Sequence, residues 1–210
     1  MKKEKFICPL CGCDYLMFNP AEQKETCPCC KYKFGSFTYN KNDLKKFFQN
    51  QEETEGLYLL VRDIWLGTNK ELKDDNLIKQ LNNIEGFIFR KNIKYGGFGE
   101  FQYCEKDLPI KELLDYKNIE NWKDESLFVE YATNTSELFW NYYLPLLKDA
   151  FIDEDKHGFD DYGDNYYTPE QTFFIYKQIK ENKNLPDRAL FLNWLEIAVQ
   201  RNKGFYFLGA

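Results

Sequence analysis

Histidine is nearly absent from this 210-residue chain, where His157 stands alone. A Ser/His/Asp or Cys/His machine would need that one ring as its base, or another group in its place. Catalysis is therefore not expected, and a lone histidine in an acidic stretch reads as a solvated residue. Long apolar runs are missing too, and none reaches the roughly 18 residues of a membrane span. The opening Met1-Lys2-Lys3-Glu4-Lys5 passes straight into cysteines without the apolar stretch of a signal peptide. The expected address is the cytoplasm, with no membrane contact. Cations are in short supply, with 28 Lys and Arg against 34 Asp and Glu and a net charge of −6. The best basic candidates (Lys31, Lys33, Lys41, Lys45 and Lys46) form too small a patch to neutralise many phosphates. Nucleic-acid binding is thus not expected, and a partner with a basic surface is favoured. Gly96-Gly97-Phe98-Gly99 has no lysine at Walker spacing and reads as a hairpin turn. There is no internal repeat and no low-complexity tract.

Cysteine and aromatic residues are what the chain does have. Six of seven cysteines fall between residues 8 and 30. In a long chain without a signal peptide that density reads as metal binding and not as a disulfide framework. Cys8-Pro9-Leu10-Cys11-Gly12 and Cys27-Pro28-Cys29-Cys30 are two C-x2-C pairs with 15 residues between them. Two residues between cysteines let both sulfurs of one tight turn reach a single ion, and Gly12 permits the left-handed step that follows. Cys8, Cys11, Cys27 and Cys30 are the expected ligands of one structural zinc ion with no open coordination position. Cys13 and Cys29 are surplus, so a register using Cys13 or Cys29 stays open. So does iron in a rubredoxin-like site, although the second pair lacks a glycine after its last cysteine. Cys104 reads as a core residue.

The 19 Phe, 15 Tyr and 4 Trp can fill a core or anchor an interface. Hydrophobic periodicity predicts a mainly helical α+β protein. Its parts are a two-knuckle zinc ribbon over residues 1–40 and a mainly α-helical domain over 41–210. Within the latter, helices over 41–86 pack near the ribbon, a short hairpin spans 87–104, and C-terminal helices fill 125–210. Leu44, Phe47 and Phe48, then Leu57, Leu60, Val61, Ile64 and Trp65, suggest two helices joined near Gly56. Leu72, Leu77, Ile78 and Leu81 suggest a third, stopped by Gly86. Residues 109–121 read as a connector, and a longer helical segment covers about 125–151, interrupted near Pro145. Thr168-Pro169-Glu170-Gln171 is a capping-box start. The last helix runs from about Asp187 to Asn202 with Ala189, Leu192, Leu195, Ala198 and Val199 inward. Phe205 to Leu208 read as a buried terminal strand.

Residues 153–167 form an acidic, aromatic loop. Asp153, Asp155 and Asp164 partly imitate a calcium loop, but His157 and Asp160 occupy positions that the pattern fills otherwise. The alternatives are a solvated connector whose tyrosines pack back on the core, or a partner-binding loop. In the latter, Asp153, Asp155, Asp160, Asp161 and Asp164 would steer a basic protein and Tyr162, Tyr166 and Tyr167 would anchor it.

The ribbon segment, with Glu25-Thr26-Cys27-Pro28-Cys29-Cys30-Lys31-Tyr32-Lys33-Phe34-Gly35 as its second half, resembles the cysteine-rich CPCC family of small bacterial proteins. Those open on a "CPxCG … CPCCxxxFG" ribbon. Arg62-Asp63-Ile64-Trp65 and Gln80-Leu81-Asn82-Asn83-Ile84 are similar to the helices that follow it, so the resemblance covers roughly the first 86 residues. It implies a fold more than an activity. The second half resembles immunity proteins of bacterial toxin systems, which are small, acidic and cytoplasmic. Some end in a segment like Trp194-Leu195-Glu196 … Asn202-Lys203-Gly204-Phe205-Tyr206. The expected function is a non-catalytic zinc-binding protein that neutralises a protein partner, such as a toxin, by association. A nucleic-acid-associated or regulatory ribbon module is the alternative.

Overall fold

A computed structural model describes residues 5–14, 16–20, 25–34, 53–68, 75–84, 86–91, 97–104, 126–130 and 133–209. The first expected helix (near 44–48), the 109–121 connector and the turn at Gly96 lie outside these residues. By contacts the chain divides into two compact units, one of residues 1–85 and 132–134, the other of residues 86–131 and 135–210.

In the first unit the ribbon precedes helices α1 (Glu53–Thr68) and α2 (Asp75–Leu81). Its core is small: Leu10, Leu16 and Phe34 are buried beside Cys8, Cys11, Cys13 and Cys27. Val61 and Trp65 of α1 pack against it. Ile78 and Leu81 of α2 are buried, as the helical spacing requires.

The second unit corrects the mainly helical expectation. Its centre is one seven-stranded sheet in the order β1-β3-β2-β7-β6-β4-β5, with every pairing antiparallel. The strands are β1 (Phe89–Lys91), β2 (Gly97–Tyr103), β3 (Leu127–Glu130), β4 (Ala150–Asp153), β5 (Lys156–Gly158), β6 (Asp164–Tyr167) and β7 (Phe205–Gly209). Helices α3 (Thr133–Tyr142), α4 (Leu144–Leu147), α5 (Pro169–Glu181) and α6 (Arg188–Gln200) complete the chain order. The expected 87–104 hairpin does not form, because β3 lies between β1 and β2 and pairs with both. The expected helix over 125–151 begins and ends in strand: β3 and β4 flank α3 and α4. The 153–167 segment is likewise half strand, with β5 closing a hairpin on β4 and β6 lying between β4 and β7. Phe205 to Leu208 do form the terminal strand, central in the sheet.

Alternation along the strands sends Phe89, Phe101, Tyr103, Phe205 and Phe207 to one face. There Phe101 meets the rings of Phe89, Phe139, Phe191, Trp194, Phe205 and Phe207 at centroid distances of 4.8 to 6.3 Å. This explains much of the aromatic excess, since large rings bridge sheet and helices with few side chains. Gly99 is needed where it stands, because a Cβ there would lie 2.2 Å from the Phe207 ring. On α6 the buried side chains are Leu190, Phe191, Trp194, Leu195 and Ala198, while Ala189 is exposed. Among the described residues, no helix is long and apolar enough to cross a membrane.

Candidate metal centre

Two knuckles of nearly identical backbone hold the cysteines. In the first, Gly12 N–H donates to Cys8 O (2.9 Å) and Cys8 N–H donates to Cys13 O (2.8 Å). In the second, Lys31 N–H donates to Cys27 O (3.0 Å) and Cys27 N–H donates to Tyr32 O (2.8 Å). Each turn ends on a left-handed residue, Gly12 at φ 72° and Lys31 at φ 61°. The lysine accepts the conformation that glycine takes freely, and its Nζ donates back to Pro28 O at 2.6 Å. The missing second glycine therefore has no bearing on zinc against iron. Single bridges, Phe6 to Leu16 and Thr26 to Lys33, join the ends of the two segments.

The sulfurs of Cys8, Cys11, Cys27 and Cys30 all lie within 4.8 Å of one another and can hold a metal ion. Cys8 Sγ is 3.9 Å from Cys30 Sγ, and Cys11 Sγ is 3.8 Å from Cys27 Sγ. A tetrahedron of thiolates with metal–sulfur bonds of about 2.3 Å has edges of about 3.8 Å, so the donor set fits one ion. Among the described residues, no other group of three or more His, Cys, Asp or Glu converges in this way. The thiols also interact strongly with one another. Hydrogen bonds from Cys11 and Cys30 push the Cys8 thiol down to about 2, whereas its bonds with Cys30 and Cys8, and then burial, push Cys11 well up. A dication held by the four sulfurs would relieve that competition by stabilising them as thiolates.

The first unit's helices supply contacts that sequence patterning did not single out as functional. Arg62 of α1 is 5% exposed and donates from Nε to Leu10 O (3.1 Å) and from Nη2 to Pro9 O (2.6 Å). Gln80 of α2 donates to Cys11 O (2.7 Å), and Asn83 donates to Gly12 O (2.8 Å). Three side chains thus hold the carbonyls of the first knuckle. Gly12 also lies so close to α2 that a Cβ would sit 1.8 Å from Gln80 O. A buried arginine on an amphipathic helix was the one available signal, within Arg62-Asp63-Ile64-Trp65. Of the surplus cysteines, Cys13 is buried, and Cys29 Sγ accepts a bond from Gln80 Nε2 at 3.3 Å. Cys104 lies in the sheet unit, 6% exposed.

The acidic segment is divided between two structures. Asp153 and Asp155 are exposed at the end of the β4–β5 hairpin. His157 on β5 packs its ring on Phe151 at 4.0 Å, with Nδ1 3.3 Å from Asp149 O. Asp160 and Asp161 are exposed in a separate turn, and Tyr162 is 82% exposed. That turn is braced by fully buried Asn165, whose Nδ2 donates to Asp160 O, Gly163 O and Phe207 O (2.8 to 3.2 Å) and whose Oδ1 accepts from Asp160 N–H (2.7 Å). Asp164 begins β6, where burial and then nearby Asp160 hold its carboxyl above the usual carboxylate range. Tyr166 and Tyr167 are core residues, 4% and 1% exposed, and Tyr167 donates to Leu147 O at 2.6 Å. They present no surface to a partner, which leaves Tyr162 as the available aromatic anchor. The pieces of the partial calcium loop therefore do not wrap one point. Comparison with protein-family models, with curated proteins and with solved structures finds no match.

Proposed function

We propose that this chain is a non-catalytic, zinc-stabilised binding protein of the immunity type, which neutralises a basic partner, such as a toxin nuclease, by association. The observation that carries this reading is the braced acidic turn, where Asp160 and Asp161 lead into a tyrosine that is 82% exposed. Carboxylates steer a basic surface, and a tyrosine held out by a structured turn loses little freedom on burial. Zinc is the ion that best suits four thiolates with no open position, one per chain, and its role is structural. The likeness of the ribbon to CPCC proteins supports the same assignment, and the net charge of −6 supports a basic partner over a nucleic acid. The proposed address is the cytoplasm, where thiols stay reduced.

The test measures binding to the product of the adjacent gene. Asp160→Lys with Asp161→Lys is expected to slow association and flatten its salt dependence, and Tyr162→Ala to speed dissociation. Undiminished binding by the triple variant removes the turn from recognition. Steeply salt-dependent binding of duplex DNA would favour the nucleic-acid module instead.

A further inference from the structure

Helix α5 buries Thr172, Ile175 and Ile179 against the sheet unit. Its opposite side is unusual, because Phe173 and Phe174 are 56% and 60% exposed. Side by side, they form a contiguous exposed apolar patch of the kind that can mark an interaction site. At about 100° per residue, Glu170 and Lys177 fall within about 20° of each other on the helix, with Phe173 and Phe174 about 50° to either side. All four are exposed. Lys180 does not share the stripe, since its Nζ donates to Tyr176 Oη at 2.9 Å, beside Glu196.

The order along this stripe is acid, two aromatics, base, and it is its own charge complement when reversed about the Phe173–Phe174 bond. We propose that α5 is the centre of a two-fold interface between two copies of this chain, with the helices packed antiparallel. In that arrangement Glu170 of each copy faces Lys177 of the other, and the four phenylalanine rings fill the middle. An isologous interface demands this self-complementarity, and a surface shaped for an unrelated partner does not. The surface beside the stripe is open. A cleft of about 580 Å³ beside Phe173 is lined by Pro169, Glu170, Val199 and Asn202. The two-fold puts Phe173 of both copies on the side of this cleft and Phe174 of both copies on the other side of the stripe. The helix spans about 20 Å. Its contact is small beside the roughly 800 Å² per partner of a standard interface, so a weak, concentration-dependent dimer is expected.

Sedimentation velocity of the full chain, from low micromolar to near-millimolar concentration, tests this. The wild type is expected to show a concentration-dependent monomer–dimer equilibrium, and Phe174→Asp to remain monomeric with an unchanged circular dichroism spectrum. Glu170→Lys alone and Lys177→Glu alone each place like charges at both ends of the interface, and each weakens the dimer by about tenfold or more. The decisive arm mixes these two variants: every facing pair is then again of opposite charge, so the mixture associates more tightly than either variant alone. A wild type that stays monomeric near millimolar concentration overturns the proposal. So does a dimer indifferent to Phe174, or a mixture that associates no better than its components.

Discussion

Asp187 shows how much one side chain can carry. It is 3% exposed, sits at φ 53° just before α6, and makes no capping bond to its own helix. Its carboxylate instead accepts from the backbone N–H groups of Gly86 (2.9 Å), Ile88 (2.7 Å) and Phe89 (2.8 Å), about one hundred residues earlier. Those donors lead into edge strand β1, and the N–H groups of Ile88 and Phe89 would otherwise be buried without acceptors. Asparagine tolerates the left-handed backbone but has one acceptor oxygen, so Asp187→Asn turns an NH2 group towards at least one donor. The expected loss is about 2–3 kcal/mol, measured by urea unfolding; a loss below about half a kcal/mol would mean that the carboxylate is not the anchor. Glu100 gives a pH-dependent case. Burial holds its carboxyl above the usual range, with bonds from Ser126 and Gln102 opposing the shift. A carboxyl whose folded value is raised contributes stability that is full below its unfolded value and lost as pH rises through the folded one. Glu100→Gln is therefore expected to gain on the wild type at pH 7 and to lose that advantage near pH 4. Equal differences at both pH values would place the effect elsewhere.

At the scale of elements, what was legible followed the strength of the local signal. The capping box before α5 is present in full: Thr168 Oγ1 accepts from Gln171 N–H at 3.2 Å, and Gln171 Oε1 accepts from Thr168 N–H at 2.8 Å. Thr168→Ala is expected to cost about 1 kcal/mol in thermal unfolding, with Thr168→Ser near neutral; equal costs would show that the methyl group matters more than the cap. The knuckles were legible because spacing, proline and cysteine act within four residues. The sheet was not. β6 reads Asp-Asn-Tyr-Tyr, and its buried Asn165 is polar because it braces the neighbouring turn, so the alternation that marks a strand is missing. β3 and β4 directly flank α3 and α4, and their apolar residues extend the helical spacing of those neighbours. A four-residue strand cannot be told from a helical turn on periodicity alone. On α6, Phe191 and Trp194 define the inward face, whereas the sequence pattern placed Ala189 there. The choice between those faces belongs to the rings on β1, β2 and β7, which no local pattern reveals.

At the scale of the whole molecule, the two units do not draw on the same source of stability. The sheet unit has a continuous aromatic core, whereas among the described residues of the ribbon three apolar side chains, Leu10, Leu16 and Phe34, are buried with its cysteines. So small a core rarely holds a fold without a staple, and thiolate zinc contributes on the order of 10 kcal/mol in isolated fingers. Elemental analysis of protein purified without added metal is expected to find about one zinc per chain, and stoichiometric iron would replace that ion in the argument. Chelation is then expected to unfold the ribbon while the near-ultraviolet dichroism of the packed Tyr103–Trp194 pair, with ring centroids 4.2 Å apart, persists. Acid should do the same, because thiolate binding of a metal releases protons and weakens as pH falls. Cys11→Ser and Cys27→Ser are expected to reproduce the chelated state. Cys29→Ser is expected to be mild, since a hydroxyl can still accept the Gln80 bond, and Cys13→Ser milder than any ligand change because Cys13 supplies no sulfur to the cluster. Equal loss of metal from all four variants would mean that the ligand set is misassigned. Loss of the Tyr103–Trp194 signal on chelation would mean that the sheet unit depends on the ion as well.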